Sequence, residues 1–311
     1  MYWRNWKLAF GLMAAVSVAG STSAFAGTIY DSGGFEGNGP SPRFSPNFTN
    51  SNDPSVQGDL TGQDSGVNTW LQSPAPPGTT SAQAGAMAQV IAASTASTNG
   101  VPSLTGGGNQ LVQVTATGLG NNNPVGWTPT FNVTPGQTAG TQIVTVDWDM
   151  NVQKTTTNNN KLGPFFGVDV VAANGSTVVA GFGVDATSGE LLLEDSNGID
   201  ITSGDAKISQ FNGWNHFQMQ LNYSTDTYSV FLNGTPEQTN IPFVSTQSTF
   251  VYAPITAVQV QPTSNANLTG TAYIDNYVVN SVPEPTSLAL IVVAGAFTSL
   301  RWRRRKSPVV A

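Results

Sequence analysis

Residues 214–223, WNHFQMQLNY, and residues 227–232, TYSVFL, joined across Ser224-Thr225-Asp226, decide the fold class. In the first run Phe217, Met219 and Leu221 alternate with Trp214, His216, Gln218 and Gln220. Successive side chains of a strand point to opposite faces, so the run predicts a strand with one face in a core and the other in water. The second run is its antiparallel partner. Outward from this hairpin the same signal recurs. It is found over Gln110–Ala116, Thr141–Val152, Phe165–Ala172, Thr177–Val184, Gly189–Glu194, Ile255–Val260 and Thr271–Val279. Asn174-Gly175 marks a hairpin turn. Met87–Ala92 reads as a strand, because the Ala-rich stretch around it lacks an apolar face at helical spacing. Asn38–Ser55 and Gln72–Thr80 read as loops rich in Pro, Asn and Ser. Turn residues every 8–12 positions fit an all-β sandwich.

Composition agrees. The 311 residues include 33 Gly, 19 Pro and no Cys, and only 9% are charged. That excludes a disulfide scaffold and a cysteine-ligated metal. One histidine, His216, leaves no partner for a His-rich zinc site and makes a nucleophile triad implausible. Between Gly27 and Val282 there are 17 acids against four bases, Arg43, Lys154, Lys161 and Lys207, a balance of −13. Phosphate binding needs a basic face, so nucleic acid is not an expected partner.

The remaining bases sit at the ends. Arg4 and Lys7, the apolar run Leu8–Val18 and the small residues Ala24 and Ala26 form a secretory signal peptide over 1–26, with the mature chain starting at Gly27. Its partners would be the secretion translocon and signal peptidase. At the other end Pro283-Glu284-Pro285 precedes an apolar stretch, Ser287–Leu300, and then Arg301, Arg303, Arg304, Arg305 and Lys306. Fourteen helical residues span ~21 Å, short of the ~30 Å hydrocarbon core, and the basic cluster holds its end in the cytoplasm. Residues 282–311 closely resemble the PEP-CTERM sorting signal of Gram-negative bacteria. The resemblance implies a transient inner-membrane anchor, recognition by an exosortase, cleavage near Pro283, Glu284 and Pro285, and delivery to the cell surface or medium.

Residues 27–281 then form one domain. Phe35-Glu36, Gly58-Asp59-Leu60-Thr61-Gly62-Gln63, Trp70, the Trp214-Asn215-His216 strand with Asn233-Gly234, and Tyr273-Ile274-Asp275-Asn276 together resemble jelly-roll modules of the concanavalin/laminin-G and carbohydrate-binding type. In that family an early Phe-Glu and a closing Ile-Asp-Asn meet at a structural calcium. The resemblance therefore implies Glu36 and Asp275 as calcium ligands, with Asn276 nearby. The competing reading is two solvated strand-end acids.

Two further constellations bear on function. Asp147 and Asp149 flank Trp148 at i and i+2, so both carboxylates share one strand face. Paired carboxylates suit glycoside hydrolysis. The laminarinase-like jelly-roll hydrolases carry Glu-x-Asp-x-x-Glu, whereas the third position here is Val152, so no catalytic residue is assigned. The pair is expected either to bond sugar hydroxyls or simply to face water. Aromatic rings stack on sugars, and Trp127, beside Asn121, Asn122 and Asn123, is the first candidate platform, with Trp70 second; the core is the competing reading for each. Trp148 and Trp214 are expected in the core.

The whole reads as an exported, exosortase-sorted surface or extracellular-matrix protein, non-catalytic, in contact with exopolysaccharide. The alternatives are a jelly-roll glycoside hydrolase and a purely structural matrix protein. Exposure of Trp127 and the direction of Asp147 and Asp149 separate the three.

Overall fold

The structure is a computed structural model that describes residues 27–37, 43–50, 53–64, 69–73, 86–117, 125–129, 143–155, 164–172, 177–195, 198–201, 207–208, 210–245, 255–259 and 269–282. The leader at 1–26, Asn121 to Asn123, Lys161, Asn174-Gly175 and the sorting segment from Pro283 onward lie outside the described residues. Among the described residues no helix is long and apolar enough to cross a membrane.

The described strands are β1 (Gly27–Asp31), β2 (Thr49–Asn50), β3 (Asp53–Gln57), β4 (Trp70–Ser73), β5 (Ala86–Ala92), β6 (Gln110–Thr117), β7 (Val125–Pro129), β8 (Ile143–Val152) and β9 (Pro164–Val171). They continue with β10 (Val178–Asp185), β11 (Leu191–Asp195), β12 (Gly198–Ile201), β13 (Trp214–Asn222), β14 (Thr227–Leu232), β15 (Thr235–Pro242), β16 (Ile255–Gln259) and β17 (Thr269–Val282). One six-residue helix, α1 (Ala93–Thr98), follows β5.

A first sheet has the order β15-β14-β13-β8-β17-β6-β5, with β1 also paired to β17. A second has the order β12-β11-β10-β9-β16-β7-β4, and β2 with β3 makes a separate ribbon. The pairings are antiparallel, as between β8 and both of its neighbours. The chain changes sheet at β4 to β5, β6 to β7, β7 to β8, β8 to β9, β12 to β13, β15 to β16 and β16 to β17. Repeated crossing interleaves the two sheets around one core.

The quoted hairpin is the clearest case of sequence setting structure. Along β13 Phe217, Met219 and Leu221 are buried, and β14 buries Tyr228, Val230 and Leu232 in the same alternation. Phe217 stands opposite Trp148 on β8, and their rings stack at 5.5 Å with 10° between planes. Phe182 of the other sheet meets both edge-on at 6.0 and 5.5 Å. Such pairs add about 0.5–1.5 kcal/mol each beyond their buried area.

Several elements depart from the alternation. β15, TPEQTNIP, is exposed at every position but Ile241, since it forms the sheet's edge. Pro236, Pro242 and two register shifts against β14 blunt that edge against further strand pairing. The stretches expected to be loops contribute β2, β3 and β4, and α1 rises where no helix is expected. Trp214 is not in the intersheet core. It packs on the outer face of the first sheet with Ala96, Val101, Leu111 and Tyr273, and its indole N–H donates to the Pro102 carbonyl at 2.7 Å. α1 is therefore a small cap on that outer face.

Candidate functional site

The polar half of β13 and the acids of β8 meet on the outer face of the first sheet. His216 stands opposite Asp149, and Gln218 opposite Asp147. Because Trp148 points into the core, Asp147 and Asp149 both point out. On the far side of β8, β17 slips register between Asp275 and Val278, and the irregularity brings Asn276, at φ 50°, over Asp149. These strands and the end of β1 border an open hollow of about 770 Å³.

The side chains there form one network. Gln218 Nε2 donates to Asp147 Oδ1 at 2.6 Å, and Asn276 Nδ2 donates to Asp149 Oδ2 at 2.8 Å. His216 Nδ1 lies 3.0 Å from Asp149 Oδ1, and its Nε2 lies 3.7 Å from Asp147 Oδ1. An ionised carboxylate only accepts, so Nδ1 carries the proton in this pair. The Asp149 hydrogen bond pushes the His216 pKa above its ordinary value; burial opposes this, and the charges of Asp149 and Asp147 reinforce it. The hollow thus gathers acceptors, a titrating donor and two amides on a rigid sheet, a composition suited to hydroxyl groups.

The structure corrects the aromatic platform. Trp127 and Trp70 are both 0% exposed. Trp127 on β7 lies opposite Ile255 of β16 and Gln72 of β4, inside the core. Trp70 packs edge-on against Tyr30 at 6.0 Å and gives its indole N–H to the Tyr30 hydroxyl at 2.9 Å. Neither ring can stack on a sugar in this fold. The acid pair faces outward, as both the sugar-binding reading and a plain solvated strand face require. His216, Gln218 and Asn276 were not singled out for the hollow; the first two share the polar parity of β13, while the position of Asn276 depends on a bulge invisible in the sequence.

Glu36 and Asp275 border the adjacent glycines Gly107 and Gly108. Cβ atoms added at Gly34 and Gly107 would lie 3.3 Å from Asp275 Oδ1 and 3.0 Å from Asp275 Oδ2, and one at Gly108 would overlap the Glu36 carboxylate. The three glycines therefore form a bare wall around two carboxylates. Glu36 Oε1 accepts the Gln110 N–H at 2.8 Å, and Asp275 Oδ1 accepts the Asn276 N–H at 2.8 Å. Burial pushes the Asp275 carboxyl up to about 7, and Asp149 and Glu36 add to the rise against the opposing backbone N–H groups of Asn276 and Gly108. Because Asn276 must turn its amide nitrogen to Asp149, its Oδ1 is left facing the same cradle. Three side-chain oxygens, with carbonyls and water completing six to eight ligands, fit calcium. Among the described residues no group of three or more His, Asp or Glu is placed to hold a metal ion.

No protein-family model matches the chain, and no curated protein matches it. Among solved structures it is similar to a sialidase, at 8% identity and TM-score 0.39, covering 57% of this chain and 16% of that one. It is also similar to the polysaccharide lyase family 7 alginate lyase AlgAT5, at 13% identity and TM-score 0.38, covering 55% and 79%. A third is the cellulose-induced protein Cip1, at 14% identity and TM-score 0.39, covering 64% and 87%. Likeness at this level identifies no activity.

Proposed function

We propose that this chain is an exported cell-surface or extracellular-matrix protein, a jelly-roll module that binds neutral exopolysaccharide in the outer hollow without cleaving it. The observation that carries the reading is the convergence of Asp147, Asp149, His216, Gln218 and Asn276 on one outward face. Carboxylates accept from sugar hydroxyls, and the second amide hydrogens of Gln218 and Asn276 remain to donate to them. With Trp127 and Trp70 in the core, recognition rests on hydrogen bonds rather than on ring stacking. Export is supported by the leader pattern ending at Ala24 and Ala26, and sorting by Pro283-Glu284-Pro285 with its apolar and basic followers. A calcium ion held by Glu36 and Asp275 would supply positive charge there and tie the loop bearing Glu36 to β17. Nothing in that role requires the ion to touch the saccharide.

Asp147 and Asp149, both in the hollow, keep the glycoside hydrolase as a second reading. The test is incubation of the protein with neutral oligosaccharides while following both binding and new reducing ends. Saturable binding with the oligosaccharides intact supports the proposal. Release of reducing ends turns the reading to hydrolysis, and absence of both leaves the structural matrix protein.

A further inference from the structure

Gly27 and Ser281, 254 residues apart in the chain, face each other across β1 and β17. The Gly27 N–H donates to Ser281 Oγ at 3.1 Å, and the same hydroxyl donates to the Gly27 carbonyl at 3.0 Å. Ser281 is 4% exposed, so this is a fixed pairing and not a frayed end. Both residues border the hollow that holds Asp147, Asp149 and His216. The Gly27 nitrogen is therefore held at the rim of that hollow.

We infer that leader removal completes the binding site by installing the α-ammonium of Gly27 at the rim as a contact for the saccharide. Hydrolysis of the Ala26–Gly27 peptide bond adds one water. It leaves a carboxylate on Ala26 and an amine on Gly27, which takes up a proton. The free α-amino group has an ordinary pKa of about 7.7–8.0 and is charged at neutral pH.

The chemistry of the hollow explains why such a group matters. Its two carboxylates only accept. Gln218 and Asn276 each direct an amide hydrogen onto one of them. Among the described residues that border the hollow there is no Lys or Arg, and His216 is already turned to Asp149. An ammonium held by Ser281 keeps further N–H donors free for sugar oxygens, while sugar hydroxyl protons go to the carboxylates. Along β8, Thr145 to Asp149 spans four residues, or about 13 Å, which separates the donor end from the acceptor end. The matching ligand is a neutral, hydroxyl-rich chain rather than an acidic one, which the two carboxylates repel. This inference rests on the saccharide reading above.

The experiment uses the protein recovered after export. Its first residue is read by N-terminal sequencing. Its α-amine is then acetylated near neutral pH, where lysines are protonated and unreactive. Affinity for neutral gluco-, galacto- and manno-oligosaccharides is measured before and after, with thermal unfolding as a control. The expected result is a chain starting at Gly27 whose binding weakens roughly tenfold on acetylation, the scale of one lost hydrogen bond to a charged group, at unchanged melting temperature. A different first residue, or equal binding after acetylation, overturns the inference and leaves the saccharide reading standing. Absence of binding before acetylation removes both.

Discussion

His216 Nδ1 lies 3.0 Å from Asp149 Oδ1, directly across the β13–β8 pairing. The contact joins the only histidine of the chain to one of two carboxylates in the hollow. The folded-state pKa of His216 is raised, so its stabilising contribution is complete below the unfolded value of about 6.5 and is lost as pH rises through the folded value. The wild type should lose melting temperature on passing from mildly acidic to mildly alkaline pH by more than Asp149→Asn does. The difference is small, because the imidazole is half exposed and screened by solvent. Parallel melting curves across that range are the measurement, and equal slopes would remove this role for the pair.

Asp275 carries the same sign, over a window that begins at lower pH. Its folded carboxyl is raised to about 7, so the folded state holds an extra proton between roughly pH 4 and 7 and stability falls as pH rises through that window. In the presence of a chelator, Asp275→Asn should melt higher than wild type above pH 7 and lack this fall. With calcium added, the wild type should gain melting temperature and the variant should not. A calcium response retained in Asp275→Asn would show that the ion sits elsewhere.

Trp127→Ala is expected to cost about 3–5 kcal/mol in urea unfolding, the usual penalty for emptying a large buried site. Binding per folded molecule should be unchanged, because the ring is 0% exposed. A variant of full stability that binds no saccharide would return Trp127 to the surface.

Arg43 clamps the loop before β2. Its Nε and Nη2 reach Asp64 Oδ1 and Oδ2 at 2.8 and 2.7 Å, and Nη1 donates to the Asp31 carbonyl at 2.9 Å. Asp64 is 2% exposed, so Arg43→Ala leaves a buried carboxylate with only the Tyr30 hydroxyl, at 3.2 Å, shown as a side-chain donor. The expected loss is about 2–3 kcal/mol, and Arg43→Lys should not restore it, since an ammonium cannot make the two-pronged contact. Chemical denaturation of the three proteins checks this.

The sequence carried the β13–β14 hairpin and the outward direction of Asp147 and Asp149, because a period of two is a local property. It did not carry β15 or α1, whose residues lack a buried periodic face. Nor could it place Trp127, since a tryptophan beside asparagines reads alike whether its strand closes a core or ends in a loop. The sequence also said nothing of Asn276 over Asp149, which follows from a slip in β17, or of Gly27 against Ser281, which only the closed sheet brings together.

Calorimetric titration of neutral oligosaccharides into wild type and into the Asp147→Asn/Asp149→Asn double variant tests the central claim most directly. The account predicts saturable binding by the wild type, with the sugar intact. It predicts at least tenfold weaker binding by the double variant, at a melting temperature close to that of the wild type. Equal affinity of the two proteins, or no binding by a folded wild type, would contradict it.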